Sequence, residues 1–128
     1  MTINSTQIFA IMCGGSLGAL MRYIISTWVN NKIDANFPFG TLVVNMAGSF
    51  LMGFLVVYLV EKIGLNPLLR LAIFVGFLGA FTTFSTFSME TLNLFEEGLA
   101  LRALLNMLIN VSFTVLAVWF GVLLGKQM

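Results

Sequence analysis

Residues 76–90 of this chain hold the side chains best suited to do chemistry. They include hydroxyls at Thr82, Thr83, Ser85, Thr86 and Ser88, phenylalanines at Phe84 and Phe87, and a closing carboxylate at Glu90. Phe84 and Phe87 are three apart and so share one face of a helix, with Ser85, Thr86 and Ser88 among them. In a chain with 13 phenylalanines the ordinary use of such a pair is packing. The other use is electrostatic. The edge of a phenyl ring is the positive part of its quadrupole, so rings turned edge-inward can contact an anion without binding it tightly. Hydroxyl and amide donors would then replace the rest of its water. A small, strongly hydrated anion needs many close donors and no deep well, because conduction demands a site that the ion can leave.

Other polar side chains lie where donors would be wanted. Asn45, Gly48, Ser49 and Met52 recur at spacings of three and four, which makes one face of their helix small and polar. Asn45 needs a partner, either an interhelical hydrogen bond or a passing anion. Asn106, Asn110 and Thr114 recur every four residues on a later helix, with Ser112 to the side. Polar groups turned to lipid are costly, so that face is expected to look toward residues 76–90 or an aqueous track. Arg22 is read as either a snorkelling arginine or a fixed positive charge at the mouth of an anion pathway. The sequence has no His, and its five carboxylates are scattered. This leaves no metal-ligand cluster and no nucleophile beside a base, so an enzyme is not expected.

The elements that must position these residues follow from charge. Residues 1–21, 35–60, 71–89 and 103–125 contain no Asp, Glu, Lys or Arg. Each interval is close to or above the roughly 20 residues that cross ~30 Å of hydrocarbon. With hydrophobic residues at 59 % and charged residues at 9 %, the chain is an all-α integral membrane protein. It is expected to form one domain over 1–128, with helices at about 5–27, 40–60, 68–95 and 99–124. No basic region precedes the first apolar run, so that run is not expected to be a secretory signal. Cys13, the one cysteine, is read as a small packing residue.

Gly14, Gly15, Ser16, Gly18 and Ala19 let the first helix approach another backbone closely. Residues 28–40, with Trp28, Asn30, Asn31, Lys32, Asp34, Asn36 and Pro38, read as a polar connection, and Thr41 as the N-cap of the second helix. Gly76, Gly79 and the hydroxyls after them predict a break in the third helix near residues 76–83. Non-helical backbone at membrane depth must be buried in protein or line a wet cavity, and its carbonyls need a ligand, for which a cation is suited. Four spans put Lys62, Arg70 and Lys126 on one side and Arg22, Lys32 and Arg102 on the other. Orientation follows the Lys/Arg bias of short loops, which is balanced here. Insertion in both orientations, and an antiparallel homodimer, are therefore expected.

Gly79-Ala80-Phe81-Thr82-Thr83-Phe84-Ser85-Thr86-Phe87-Ser88-Met89-Glu90, with Gly14-Gly15-Ser16-Leu17-Gly18-Ala19-Leu20-Met21-Arg22-Tyr23 and Gly40-Thr41-Leu42-Val43-Val44-Asn45, resembles the Fluc/CrcB family of fluoride channels. The resemblance covers all four helices. It implies a dual-topology antiparallel dimer in the inner (plasma) membrane, with two pores that export fluoride passively. Phe84 and Phe87 would be the pore phenylalanines, Asn45 the residue beside them, and Ser85, Thr86 and Ser88 part of the hydroxyl track. Backbone carbonyls of Gly79 and Thr82 from both subunits would hold a structural Na⁺. The pore-facing position of helix 4 would fall to one of Asn106, Asn110, Ser112 and Thr114. Glu90 matches the family's carboxylate, and either pairs with Arg22 or serves the pore mouth. The partners are fluoride, lipid and a second copy, with no nucleic acid. A proton-coupled small multidrug exporter also has four helices, but it needs a carboxylate in helix 1, which is absent. A purely structural subunit would not require the hydroxyl-rich helix 3.

Overall fold

The computed structural model describes residues 3–33 and 36–128. Asp34, one of the polar residues of the first connection, lies outside them. Among the described residues four helices are long and apolar enough to cross a membrane: α1 (Ser5–Lys32), α2 (Phe39–Lys62), α3 (Pro67–Glu96) and α4 (Ala100–Gln127). At ~1.5 Å per residue each exceeds ~30 Å of hydrocarbon.

Their ends follow local chemistry. Asn4 caps α1 with Oδ1 accepting the Thr6 N–H, while Gln7 Oε1 reaches back to the Asn4 N–H, satisfying two donors that the first turn leaves free. No Gly or Pro lies between Gly18 and Pro38, and α1 runs on through Lys32. Trp28, Asn30, Asn31 and Lys32 therefore sit on its last turns rather than in a connection. Asn30 Oδ1 accepts the Gly40 N–H at 2.8 Å and ties α1 to the start of α2. Because α2 begins at Phe39 after Pro38, with no side-chain cap, Thr41 is not the N-cap. It lies inside the first turn, buried, with its hydroxyl committed elsewhere. Asn66 caps α3 by accepting the Leu68 N–H at 2.8 Å, with Pro67 in the first turn, where its missing N–H costs nothing. Gly64 and Gly98 take the positive φ of 71° and 76° that turn the chain between helices.

Two stretches are wound as π-helix, Val56–Lys62 in α2 and Leu71–Leu78 in α3. In the first, the Ile63 N–H reaches the Tyr58 carbonyl five residues back. Such widened turns shift the side-chain register and recur at functional sites. Beyond the second, Gly79–Phe81 makes a short α-helical turn. Thr82 (φ −85°, ψ 157°) and Thr83 (φ −150°, ψ 119°) are extended, and Phe84–Glu96 is regular α-helix.

Packing rests on glycine faces. A Cβ at Gly14 or Gly18 would run into the Ala72 or Phe77 carbonyl, so α1 lies backbone to backbone on the first part of α3. Gly53 and Gly121 bring α2 and α4 together in the same way, against the Val118 and Phe50 carbonyls. In lipid, where apolar burial no longer drives helices together, such close approach supplies the dispersion contacts that do. The interior is small and polar: Thr41, Asn45, Thr91, Asn106 and Asn110 are buried beside Val44, Leu78 and Phe87. Large apolar side chains such as Phe9, Leu17, Leu108, Val115 and Phe120 are exposed, as lipid-facing positions require.

Candidate functional site

The site begins at the two extended threonines of α3. Asn45, on α2, faces them edge-on: its Oδ1 accepts the Thr83 N–H at 2.7 Å, and its Nδ2 donates to the Thr83 carbonyl at 3.0 Å. One side-chain amide thus meets both backbone groups of an extended residue, as a neighbouring strand would. Thr83 Oγ1 accepts the Thr86 N–H at 3.2 Å, capping the following helix, and donates to Thr86 Oγ1 at 3.0 Å. These bonds take the donors that a continuous helix would give to the carbonyls four residues earlier. Gly79 loses the Thr83 N–H to Asn45, and Thr82 loses the Thr86 N–H to Thr83. The intervening Ala80 carbonyl accepts Arg22 Nε at 2.9 Å. Thr82 Oγ1 donates to the Leu78 carbonyl at 3.0 Å, and Ser88 Oγ to the Phe84 carbonyl at 2.9 Å.

An open cleft of about 280 Å³ lies against this backbone, between α2, α3 and α4, lined by Asn45, Thr82, Thr83, Phe84, Phe87, Asn110 and Thr114 with Gly48, Ser49, Met52, Val111 and Val118. No lining residue is charged. The Phe84 and Phe87 rings are 5.3 Å apart at 58°, a tilted contact that leaves ring edges available. They differ in setting, with Phe84 76 % exposed and Phe87 7 %.

From the cleft a chain of amides leads inward. Asn45 Nδ2 donates to Asn110 Oδ1 at 3.4 Å, Asn110 Nδ2 to Asn106 Oδ1 at 2.8 Å, and Asn106 Nδ2 to Thr91 Oγ1 at 2.9 Å. Thr91 passes its own proton to the Phe87 carbonyl at 2.7 Å. Thr114 Oγ1 donates to the Asn110 carbonyl at 2.6 Å. Beside Thr91, Glu90 Oε1 accepts the Thr41 hydroxyl at 2.7 Å, and its Oε2 is buried with no hydrogen-bond partner among the described residues. Glu90 also lines a second cavity of about 370 Å³, with Asn30, Asn36, Asn93 and Glu97. Phe87, Thr91, Asn106 and Thr41 are all buried.

Of the residues singled out in the sequence, Asn45, Phe84, Phe87, Asn110, Thr114 and Thr82 line the cleft directly. Thr86 is tied to it through Thr83, and Asn106 lies one hydrogen bond behind Asn110. Ser85 is exposed, with Oγ 3.4 Å from Thr83 Oγ1. Ser88 is exposed, its hydroxyl turned back along its own helix. Ser112 is exposed, away from the asparagine face. Arg22 and Glu90 take different partners, Ala80 and Thr41, rather than each other. Thr91 and the Thr41–Glu90 bond were missed. Thr91 had a signal, since Thr83, Phe87 and Thr91 recur every four residues; Thr41 had none, since its partner is 49 residues away. Among the described residues no group of three or more His, Cys, Asp and Glu could hold a metal ion.

Residues 9–122 match the model of the family described as CrcB-like protein, Camphor Resistance (CrcB). The chain is 45 % identical over 126 residues to the fluoride-specific ion channel FluC of Nitratiruptor sp., covering 98 % of this chain and 97 % of that one. It is 49 % identical over 116 residues to the FluC of Hahella chejuensis, covering 91 % of each. With the FluC of Methylococcus capsulatus it shares 50 % identity over 122 residues, 95 % of this chain but 54 % of that protein, so it spans about half that relative's length. A family match running through all four spans, with relatives matched over nearly their whole length, makes this chain a member of the CrcB family.

Proposed function

We propose that the protein is a fluoride-selective channel that lowers internal fluoride by passive export, with no covalent chemistry. The observation that carries this reading is the cleft beside Thr83, which gathers neutral amide and hydroxyl groups and two phenyl rings without a single charged side chain. Neutral donors can replace the water of a small anion yet leave no deep well, which conduction needs. The reading is supported by family membership and by relatives named fluoride-specific ion channels.

In this reading Phe84 and Phe87 turn ring edges to the ion, with Asn45 beside them, Asn110 and Thr114 continuing the track on α4, and Thr86 joined to it through Thr83, while Ser85 and Ser88 stand outside the cleft. Arg22 and Glu90 serve the pore mouth: Arg22 raises the local positive potential near Ala80, and Glu90, bonded to Thr41, lines the second cavity. The working unit is an antiparallel homodimer with two pores in the inner membrane. Balanced Lys/Arg counts and the exposed Phe84 ring support a second copy. The extended Thr82 and Thr83 are the break in α3 at its axis. There the carbonyls of Gly79 and Thr82, deprived of their helical donors, suit a Na⁺ that would neutralise two subunits' oxygens and hold them together.

The test is direct. Protein reconstituted in liposomes is expected to release fluoride and retain chloride, and Phe84→Ile or Phe87→Ile is expected to bring fluoride release to background. Equal release of the two halides would sink the claim of selectivity. Release that follows an imposed proton gradient, with an organic cation moving in exchange, would replace a channel with an exporter.

A further inference from the structure

The ladder of amides from Asn45 to Asn106 points one way, and its direction follows from both ends. At the cleft end, Thr83 presents an N–H and a carbonyl, so Asn45 can only set its Oδ1 on the first and its Nδ2 on the second. Its other amide hydrogen goes to Asn110, which must offer Oδ1. Asn110 then turns its nitrogen to Asn106, 2.8 Å from Oδ1 and 3.2 Å from the carbonyl. Asn106 in turn has only its nitrogen left for Thr91. At the far end Thr91 gives its proton to the Phe87 carbonyl, so its oxygen faces Asn106 as an acceptor. A flipped Asn106 would set its nitrogen against that of Asn110, donor against donor. Asn45 and Asn110 spend two N–H bonds each, whereas Asn106, with no solvent exposure, spends one. Its second hydrogen is unspent among the described residues, and a buried donor without an acceptor is where an anion is welcome.

We propose that Thr91 is a positioning residue for fluoride passage: by accepting one N–H of Asn106, its hydroxyl oxygen fixes that amide so that the spare N–H is held for the ion. The proposal rests on the fluoride reading above. Thr91 acts through Asn106, and its methyl group is incidental.

Fluoride efflux from liposomes tests it with wild type, Thr91→Val, Thr91→Ser, Asn106→Ala and the double variant Thr91→Val/Asn106→Ala. All are checked for a single gel-filtration peak. Thr91→Val, the same shape without the hydroxyl, is expected to slow fluoride release about ten-fold, the scale of one buried partner lost, and Thr91→Ser to stay within about two-fold of wild type. With Asn106 already truncated, Thr91→Val is expected to add nothing, because two residues acting through one contact are not additive. Three results would each overturn the proposal: Thr91→Val as fast as wild type, Thr91→Ser as slow as Thr91→Val, or losses that multiply in the double variant. If Thr91→Val does not reconstitute, Thr91→Cys, similar in size with a weaker acceptor, is held to the same outcomes. Wild type that releases no fluoride defeats the functional reading and this proposal together. Wild type that releases fluoride beside an unaffected Thr91→Val defeats only the role of Thr91.

Discussion

Asn45 does more than line a cleft. Its amide is the partner that allows two threonines to leave the helix in a place where water cannot satisfy them. Replacing Asn45 with leucine keeps the branched heavy-atom skeleton and removes both bonds to Thr83, leaving a part-buried N–H and carbonyl unpaired. The expected cost is about 1–3 kcal/mol, read as a lowered unfolding temperature in detergent. Asn45→Asp is a sharper probe, since it keeps the acceptor for the Thr83 N–H but loses the donor to the Thr83 carbonyl. It is expected to fall between wild type and leucine in stability while slowing fluoride release, because a carboxylate repels the ion. Unchanged stability in Asn45→Leu would remove the amide from its supporting role. At this scale the phenylalanines are also unequal. Phe84 is exposed, whereas Phe87 is buried.

At the scale of elements, the four helices form two pairs, α1 with the first part of α3 and α2 with α4. Each pair is joined where glycine lets backbones touch. The second part of α3 then packs on α4, which brings Phe87 and Thr91 to the asparagine face. The α1–α3 contact should tolerate little: Gly18→Leu pushes a side chain into the Phe77 backbone, and overpacking of this kind costs about 1–3 kcal/mol. Thermal unfolding should show that loss. Fluoride release should fall with it, because Arg22, one turn on, would be pulled from the Ala80 carbonyl. A Gly18→Leu protein as stable as wild type would mean that α1 can slide along α3 without loss. The π-helical stretch Leu71–Leu78 sits just before the extended residues and sets the register at which Gly79 to Thr83 arrive opposite α2.

For the whole molecule the informative position is Gly79. Within the chain a Cβ there meets nothing nearer than the Phe74 carbonyl at 3.6 Å, an ordinary contact, so Gly79→Leu should leave the subunit folded. If a second copy and a Na⁺ meet at this point, the same change should break the dimer, seen as a shift to monomer in gel filtration with loss of fluoride release. Purification with sodium replaced by a bulky organic cation should act in the same direction. A Gly79→Leu protein that stays dimeric and conducts would place the interface elsewhere. Dual orientation has its own readout: a terminal tag should be accessible from both sides of a membrane preparation, and complete protection from one side would defeat it.

Much of this was legible in the chain because membrane insertion depends on local composition. Charge-free intervals gave four spans, small residues at helical spacing marked the α1 face that meets α3, and donors crowded between Thr82 and Ser88 marked the backbone that the cleft adjoins. The partner of each donor was not legible. Asn45 meets Thr83 across 38 residues, Thr41 meets Glu90 across 49, and Arg22 meets Ala80 across 58. In a bilayer every buried polar group must find a partner, and that requirement can be read from sequence. Which partner it finds depends on how helices distant in sequence cross and on the register that π-helical turns impose. The direction of the asparagine ladder, and with it the part given to Thr91, was therefore decided only by the tertiary structure.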